Sequence, residues 1–162
     1  MPLPVEDVVA LSSRLAAPAA LALALTALAP LGAAQADAGW THRRADLVGA
    51  DVVPGPGDED GDGSAKLRLR DDSAEGELCA TVNLRRVLPP TDVQLRRGAE
   101  GRNGPLLLSL EPPRGEALFT RCFTLDVELV REIEDFPERF HVTVHDEDFP
   151  DGALRGQLRS GV

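Results

Sequence analysis

Leu67 and Leu69 alternate with Lys66, Arg68 and Arg70, the two-residue period of a strand that buries one face and wets the other. The period returns from Glu77 to Leu84, where Leu78, Ala80, Val82 and Leu84 share one face and Cys79, Thr81 and Asn83 the opposite one. From Ala117 to Val127, the residues Phe119, Phe123, Leu125 and Val127 fall on one side with Arg121 among them, and Cys122, Thr124 and Asp126 on the other. Phe140, Val142 and Val144 alternate with His141, Thr143 and His145; a turn at Phe149-Pro150-Asp151-Gly152 follows, and Ala153 to Leu158 pairs back as a terminal hairpin. Ala45 to Val53, a strand beginning at Val93 and Leu95, and the apolar run Leu106 to Leu110 complete the set, separated by glycine and proline turns.

One segment breaks this rhythm. Val127, Val130, Ile133 and Phe136 recur every three residues, which predicts a short helix capped by Asp126 and stopped before Pro137. Short strands at spacings of roughly eight to twelve residues, with one helix before a C-terminal hairpin, predict a mainly all-β antiparallel two-sheet sandwich.

The N-terminal segment follows different rules. Between Arg14 and Asp37 there is no charge, and Leu15 to Leu31 is almost wholly alanine and leucine before Gly32-Ala33-Ala34-Gln35-Ala36. Small residues flanking Gln35 suit a signal peptidase, so residues 1–36 are expected to be a signal peptide cleaved after Ala36, and residues 37–162 the folded domain. The competing reading is an uncleaved membrane anchor, since the stretch is long enough to span a bilayer; Pro18, Pro30 and the weakly apolar alanines oppose it. Both readings put the domain in a secreted or cell-envelope location.

Composition narrows the functional classes. With 162 residues there is room for one core, and 15 Gly and 13 Pro favour many turns over long helices. A net charge of -10 argues against nucleic acid, which needs a clustered basic surface. The pairs Arg43-Arg44, Arg85-Arg86 and Arg96-Arg97 do not supply one, because neighbouring residues of a strand point to opposite faces.

Cys79 and Cys122, an even number in a chain expected to be exported, are expected to form a structural disulfide, cross-strand if their strands are neighbours. Asp58, Asp60 and Asp62 before Gly63 copy the first half of a calcium loop. The twelfth position is Leu69, where a bidentate carboxylate is needed, so a solvated turn is expected. Asp146, Glu147, Asp148 and Asp151 are read the same way. His141 and His145 share a face but lie about 13 Å apart along a strand, too far for one ion, and His145 is read as a hydrogen-bonded structural residue. No nucleophile elbow, phosphate loop or zinc-protease motif is present, so no catalytic residue is assigned.

Three blocks carry a family resemblance. The closing run Val142-Thr143-Val144-His145, then Phe149-Pro150-Asp151-Gly152-Ala153-Leu154-Arg155-Gly156-Gln157-Leu158, resembles the V-N-V-H-T…F/Y-P-x-G-x-I-R-G-Q-L signature of the chordin (CHRD) domain family. Leu47 to Pro54 resembles that family's L-x-G-x-x-E-V-P opening, and Gly101-Arg102-Asn103-Gly104-Pro105 its G-x-N-G-P loop. The signature residues are His145, Phe149, Pro150, Gly152, Arg155, Gly156 and Gln157. Many members carry A-A-H-I-H before the loop, a possible metal constellation with the later histidine. Here those histidine positions are Gln94 and Arg96, a poor ligand and a permanent cation, so neither metal nor cofactor is expected.

The resemblance implies an immunoglobulin-like or superoxide-dismutase-like sandwich serving as a non-enzymatic extracellular binding or structural module. Its partner would be an extracellular protein or a cell-envelope component, with membrane contact only if the N-terminal segment stays attached. The alternatives are a metal-binding protein with a superoxide-dismutase-like redox role and an anchored envelope protein.

Overall fold

Strand β3 (Gly76–Arg85) sits between two antiparallel neighbours, β2 (Asp62–Arg70) and β6 (Leu118–Leu125). Leu78, Ala80, Val82 and Leu84 all point into the core, as their period requires. This computed structural model describes residues 39–72 and 74–161; the expected signal peptide or anchor at 1–36 lies outside them. The other strands are β1 (Thr41–Val48), β4 (Asp92–Arg97), β5 (Leu106–Ser109), β7 (Phe140–His145), β8 (Leu154–Gln157) and the two-residue β9 (Arg159–Ser160). Among the described residues no helix is long and apolar enough to cross a membrane.

The domain is mainly β and antiparallel, but it is not two separate sheets. The strands follow one hydrogen-bonded path, β5-β4-β7-β8-β1-β2-β3-β6, with β9 added beside β1. The halves β5-β4-β7-β8 and β1-β2-β3-β6 join at a single residue pair, Val48 opposite Arg155. Leu47, Leu67, Leu78 and Val82 of one half and Leu95, Val142 and Leu154 of the other belong to one buried cluster. The sheet therefore curls so that both inner faces share one core, where the sandwich expectation had two sheets facing each other. The reason is the closeness of β8 to β1: a Cβ on Gly156 would lie 2.1 Å from the Asp46 carbonyl oxygen, an approach open only to glycine.

Helix α1 (Val127–Asp135) links β6 to β7 and covers part of that core. The Asp126 side chain accepts from the Glu128 N–H at 2.8 Å, satisfying an otherwise orphaned donor of the first turn. Val130 and Ile133 are fully buried, and Gly76 admits Val130, whose methyl would lie 2.5 Å from a Cβ there. The expected fourth apolar residue departs from the pattern. Phe136 is past the last turn, is exposed, and lies under the Arg139 guanidinium at 4.1 Å. The first strand starts earlier than its apolar residues suggested and ends at Val48, where Gly49–Asp51 form a 3-10 turn.

Candidate functional site

On β4, β7 and β8 the residues between core positions make a polar outer face. Register sets Arg96 opposite His141 and His141 opposite Gln157; the next row is Gln94, Thr143 and Arg155. Three of these are buried: His141 at 0% exposure, Arg155 at 1% and Thr143 at 6%. Buried polar groups need partners, and the loop from Gly98 to Gly104 supplies them.

Arg155 donates from one terminal nitrogen to the carbonyls of Ala99 at 3.1 Å and Arg102 at 3.3 Å, and to Gln157 Oε1 at 3.1 Å. The Gln157 amide donates to Gly98 O at 3.0 Å, Glu138 O at 2.8 Å and Phe140 O at 2.6 Å. Arg96 Nε donates to Gly104 O at 3.1 Å. The loop lies so close that a Cβ on Gly104 would sit 1.7 Å from the Arg97 carbonyl oxygen, which explains a glycine there.

His141 Nδ1 lies 3.1 Å from Gly98 O. A carbonyl only accepts, so Nδ1 carries the proton and Nε2 presents a bare lone pair, buried without a partner. Burial lowers the His141 pKa to about 4, against the Gly98 hydrogen bond and helped by the positive charges of Arg155 and Arg96. Burial also lowers the Arg155 pKa, opposed by the charges of Asp51 and Glu100.

The opening block closes onto the same place. Gly49 O accepts from Gly57 N at 3.0 Å, and Asp58 N donates to Ala153 O at 2.9 Å. The Asn103 amide donates to Val53 O. All three signature blocks thus meet, around an open depression of about 200 Å³ lined by Asp51, Val53, Glu100 and Arg155 among others.

The remaining signature residues shape the β7–β8 turn. His145 Nδ1 donates to Pro150 O at 3.0 Å, and its Nε2 accepts from the Thr143 hydroxyl at 3.2 Å. Gly152 adopts φ +137° and donates to Phe149 O at 3.0 Å, while Phe149 packs on the core. Asp146 is not the solvated residue expected. It is 2% exposed, and one carboxylate oxygen accepts from the backbone of Asp148 at 3.0 Å and Phe149 at 2.8 Å.

The arrangement is poor in chemistry. Ser109 donates directly to Asp92 at 2.6 Å, with no imidazole between them. Gln94 donates to the same carboxylate at 2.6 Å, and its oxygen accepts from Arg96 at 2.6 Å; both side chains are engaged where the family pattern has imidazoles. Asp58 Oδ1 accepts from the backbone of Asp60 and Gly61, each at 3.0 Å, while Asp62 is paired with Arg85 and Arg86. The three carboxylates are thus not gathered around one point, and the hydrogen bond from Arg85 holds the Asp62 pKa below its ordinary value.

Among the described residues the one cluster with metal-ligand spacing is Glu77, Cys79 and Cys122. Cys79 and Cys122 are directly opposite on β3 and β6 and joined as the expected disulfide, with Cα atoms 4.0 Å apart, so neither sulfur is a free thiolate.

Two features escaped the sequence. The buried roles of His141 and Arg155 depend on a loop forty to sixty positions away in sequence, and no local pattern announces them. Arg43 and Arg44 do split between faces, whereas Arg85 and Arg86, the second beyond the end of β3, both reach Asp62; strand pairing also gathers cations across β1 and β2, where Arg44 lies opposite Lys66 and Arg68 is two residues further along the same face. The alternating Lys66, Arg68 and Arg70 were the available signal.

The CHRD domain family model matches residues 43–158, a span that contains all three blocks. No curated protein and no solved structure matches the chain.

Proposed function

The chain belongs to the CHRD domain family, and on that premise we propose that it is a non-enzymatic module, exported from the cytoplasm, that binds or supports a partner outside the cell or in its envelope. The observation that carries this reading is the use of the signature residues. Arg155 and Asn103 spend hydrogen bonds on the backbone carbonyls of Arg102 and Val53 in the other blocks, and Gln157 and His145 spend theirs on the carbonyls of Gly98 and Pro150, so these four side chains build a surface rather than stand ready for proton transfer or nucleophilic attack. Export is supported by the Cys79–Cys122 bridge, a bond that persists in oxidising compartments and is rare in reducing ones.

The test is made on the full chain expressed in an exporting host. The expected product is extracytoplasmic, starts at Asp37 and has no titratable thiol. A product retained in the cytoplasm with two free thiols contradicts the reading.

A further inference from the structure

Like charges directly opposite on an antiparallel pair repel, yet the exposed outer face sets Arg44 opposite Lys66 on β2 and opposite Arg159 on β9. Surrounding cations are paired with carboxylates: Arg70 with Glu77 at 2.7 Å, Arg159 with Asp46, Arg85 with Asp62. Among the described residues Arg44, Lys66 and Arg68 have no carboxylate within ion-pair distance. An open depression of about 250 Å³ lies between His42, Arg43, Arg44, Lys66 and Gly161, with no acidic residue in its lining. In a chain of net charge -10, an uncompensated basic strip is a cost that a bound anion would remove.

We propose that this strip binds an acidic polysaccharide, through carboxylate or sulfate groups on Arg44, Lys66 and Arg68. Register carries the row onward from Arg44 and Lys66 to Thr81 and Thr120, whose hydroxyls, 2.9 Å apart, match the donors and acceptors of a sugar ring. The strip is narrow, bordered by the ion pairs of Asp46 with Arg159, Asp62 with Arg85 and Glu77 with Arg70, so it suits an extended chain one sugar thick. Single-stranded nucleic acid needs a free aromatic platform, and Trp40 already has the guanidinium groups of Arg68 and Arg70 over its ring at 5.0 and 4.8 Å. The inference supplies a ligand class for the binding-module reading and rests on it.

The experiment titrates the full chain at low salt with dextran sulfate, polygalacturonate and a single-stranded oligonucleotide. Arg44→Gln/Lys66→Gln is compared with Arg114→Gln/Arg139→Gln, which removes the same charge elsewhere. At least one polysaccharide is expected to bind, weakened about tenfold or more in the first double variant and less than about twofold in the second, since a tenfold loss needs only about 1.4 kcal/mol. Arg44→Lys/Lys66→Arg is expected to keep the binding. Because the first variant removes a repulsive pair, its thermal midpoint should equal or exceed that of the unmodified chain, which separates lost contact from lost fold. No polysaccharide binding, equal losses in both double variants, or tighter binding of the oligonucleotide overturns the proposal. Failure of the polysaccharides with an oxidised, exported product removes this ligand alone, whereas a reduced cytoplasmic product removes the module reading itself.

Discussion

The Arg155 guanidinium on β8 donates to the Ala99 carbonyl at 3.1 Å, joining chain segments 56 residues apart. Since Arg155 is 1% exposed and bonds three acceptors from one nitrogen, shortening it takes the side-chain donor from the Arg102 carbonyl and leaves Ala99 O only the Arg102 N–H at 3.0 Å. Arg155→Met is expected to cost roughly 2 to 4 kcal/mol in urea unfolding. Amide exchange should rise first between Gly98 and Gly104; unchanged exchange there would show that the loop is held by something else.

His141 gives the domain a defined acid sensitivity. Its folded pKa of about 4 lies below the ordinary value of 6.5, so the unfolded chain binds the proton more readily and stability falls as pH drops. The contribution is complete above about 6.5, declines between about 6.5 and 4, and levels off below, amounting to about 3 kcal/mol. His141→Gln should flatten that limb in chemical denaturation measured from pH 7 to 4. An undiminished slope in the variant assigns the sensitivity to other groups.

The Cys79–Cys122 bridge closes a loop with a sequence separation of 43. Its removal in Cys79→Ala/Cys122→Ala is expected to destabilise the domain by roughly 3 to 4 kcal/mol in the chain-entropy account. The fold should survive, because Leu78, Ala80 and Val82 around the bridge remain packed. A midpoint unaffected by the double substitution would mean that the unfolded chain is not loosened by losing the link.

Gly156 tests how the two halves of the sheet are joined. A Cβ there would meet the Asp46 carbonyl oxygen at 2.1 Å, and real structures do not hold such a contact. Gly156→Ala is therefore expected to push β8 from β1 at a cost of at least about 2 to 3 kcal/mol. The Val48–Arg155 pairing should loosen before the β2–β3 pairing, as read by amide exchange of both.

Much of the architecture was legible because the information is local. The alternation of Leu67 with Arg68 and of Leu78 with Cys79 fixed strand faces, and Asp126 with Val130 and Ile133 fixed the helix and its cap. What escaped was set by long-range pairing. A single bridge, Val48 to Arg155, turns two expected sheets into one, and no residue pattern near either position declares it. The basic strip was missed because charges were compared along one strand, while Arg44 and Lys66 become neighbours only across two. Asp146 read as surface from its acidic neighbours, yet its carboxylate caps the turn backbone from inside.

Elemental analysis of the purified full chain, after exposure to copper, zinc and calcium and removal of the excess, addresses most directly whether the signature builds a binding surface or a metal centre. With Gln94 and Arg96 bonded to each other, Asp62 paired with arginines and both cysteines oxidised, each metal is expected far below one equivalent per chain. One equivalent of copper or zinc would contradict the non-enzymatic reading, and one equivalent of calcium would contradict the assignment of Asp58, Asp60 and Asp62 to a turn held by its own hydrogen bonds and ion pairs.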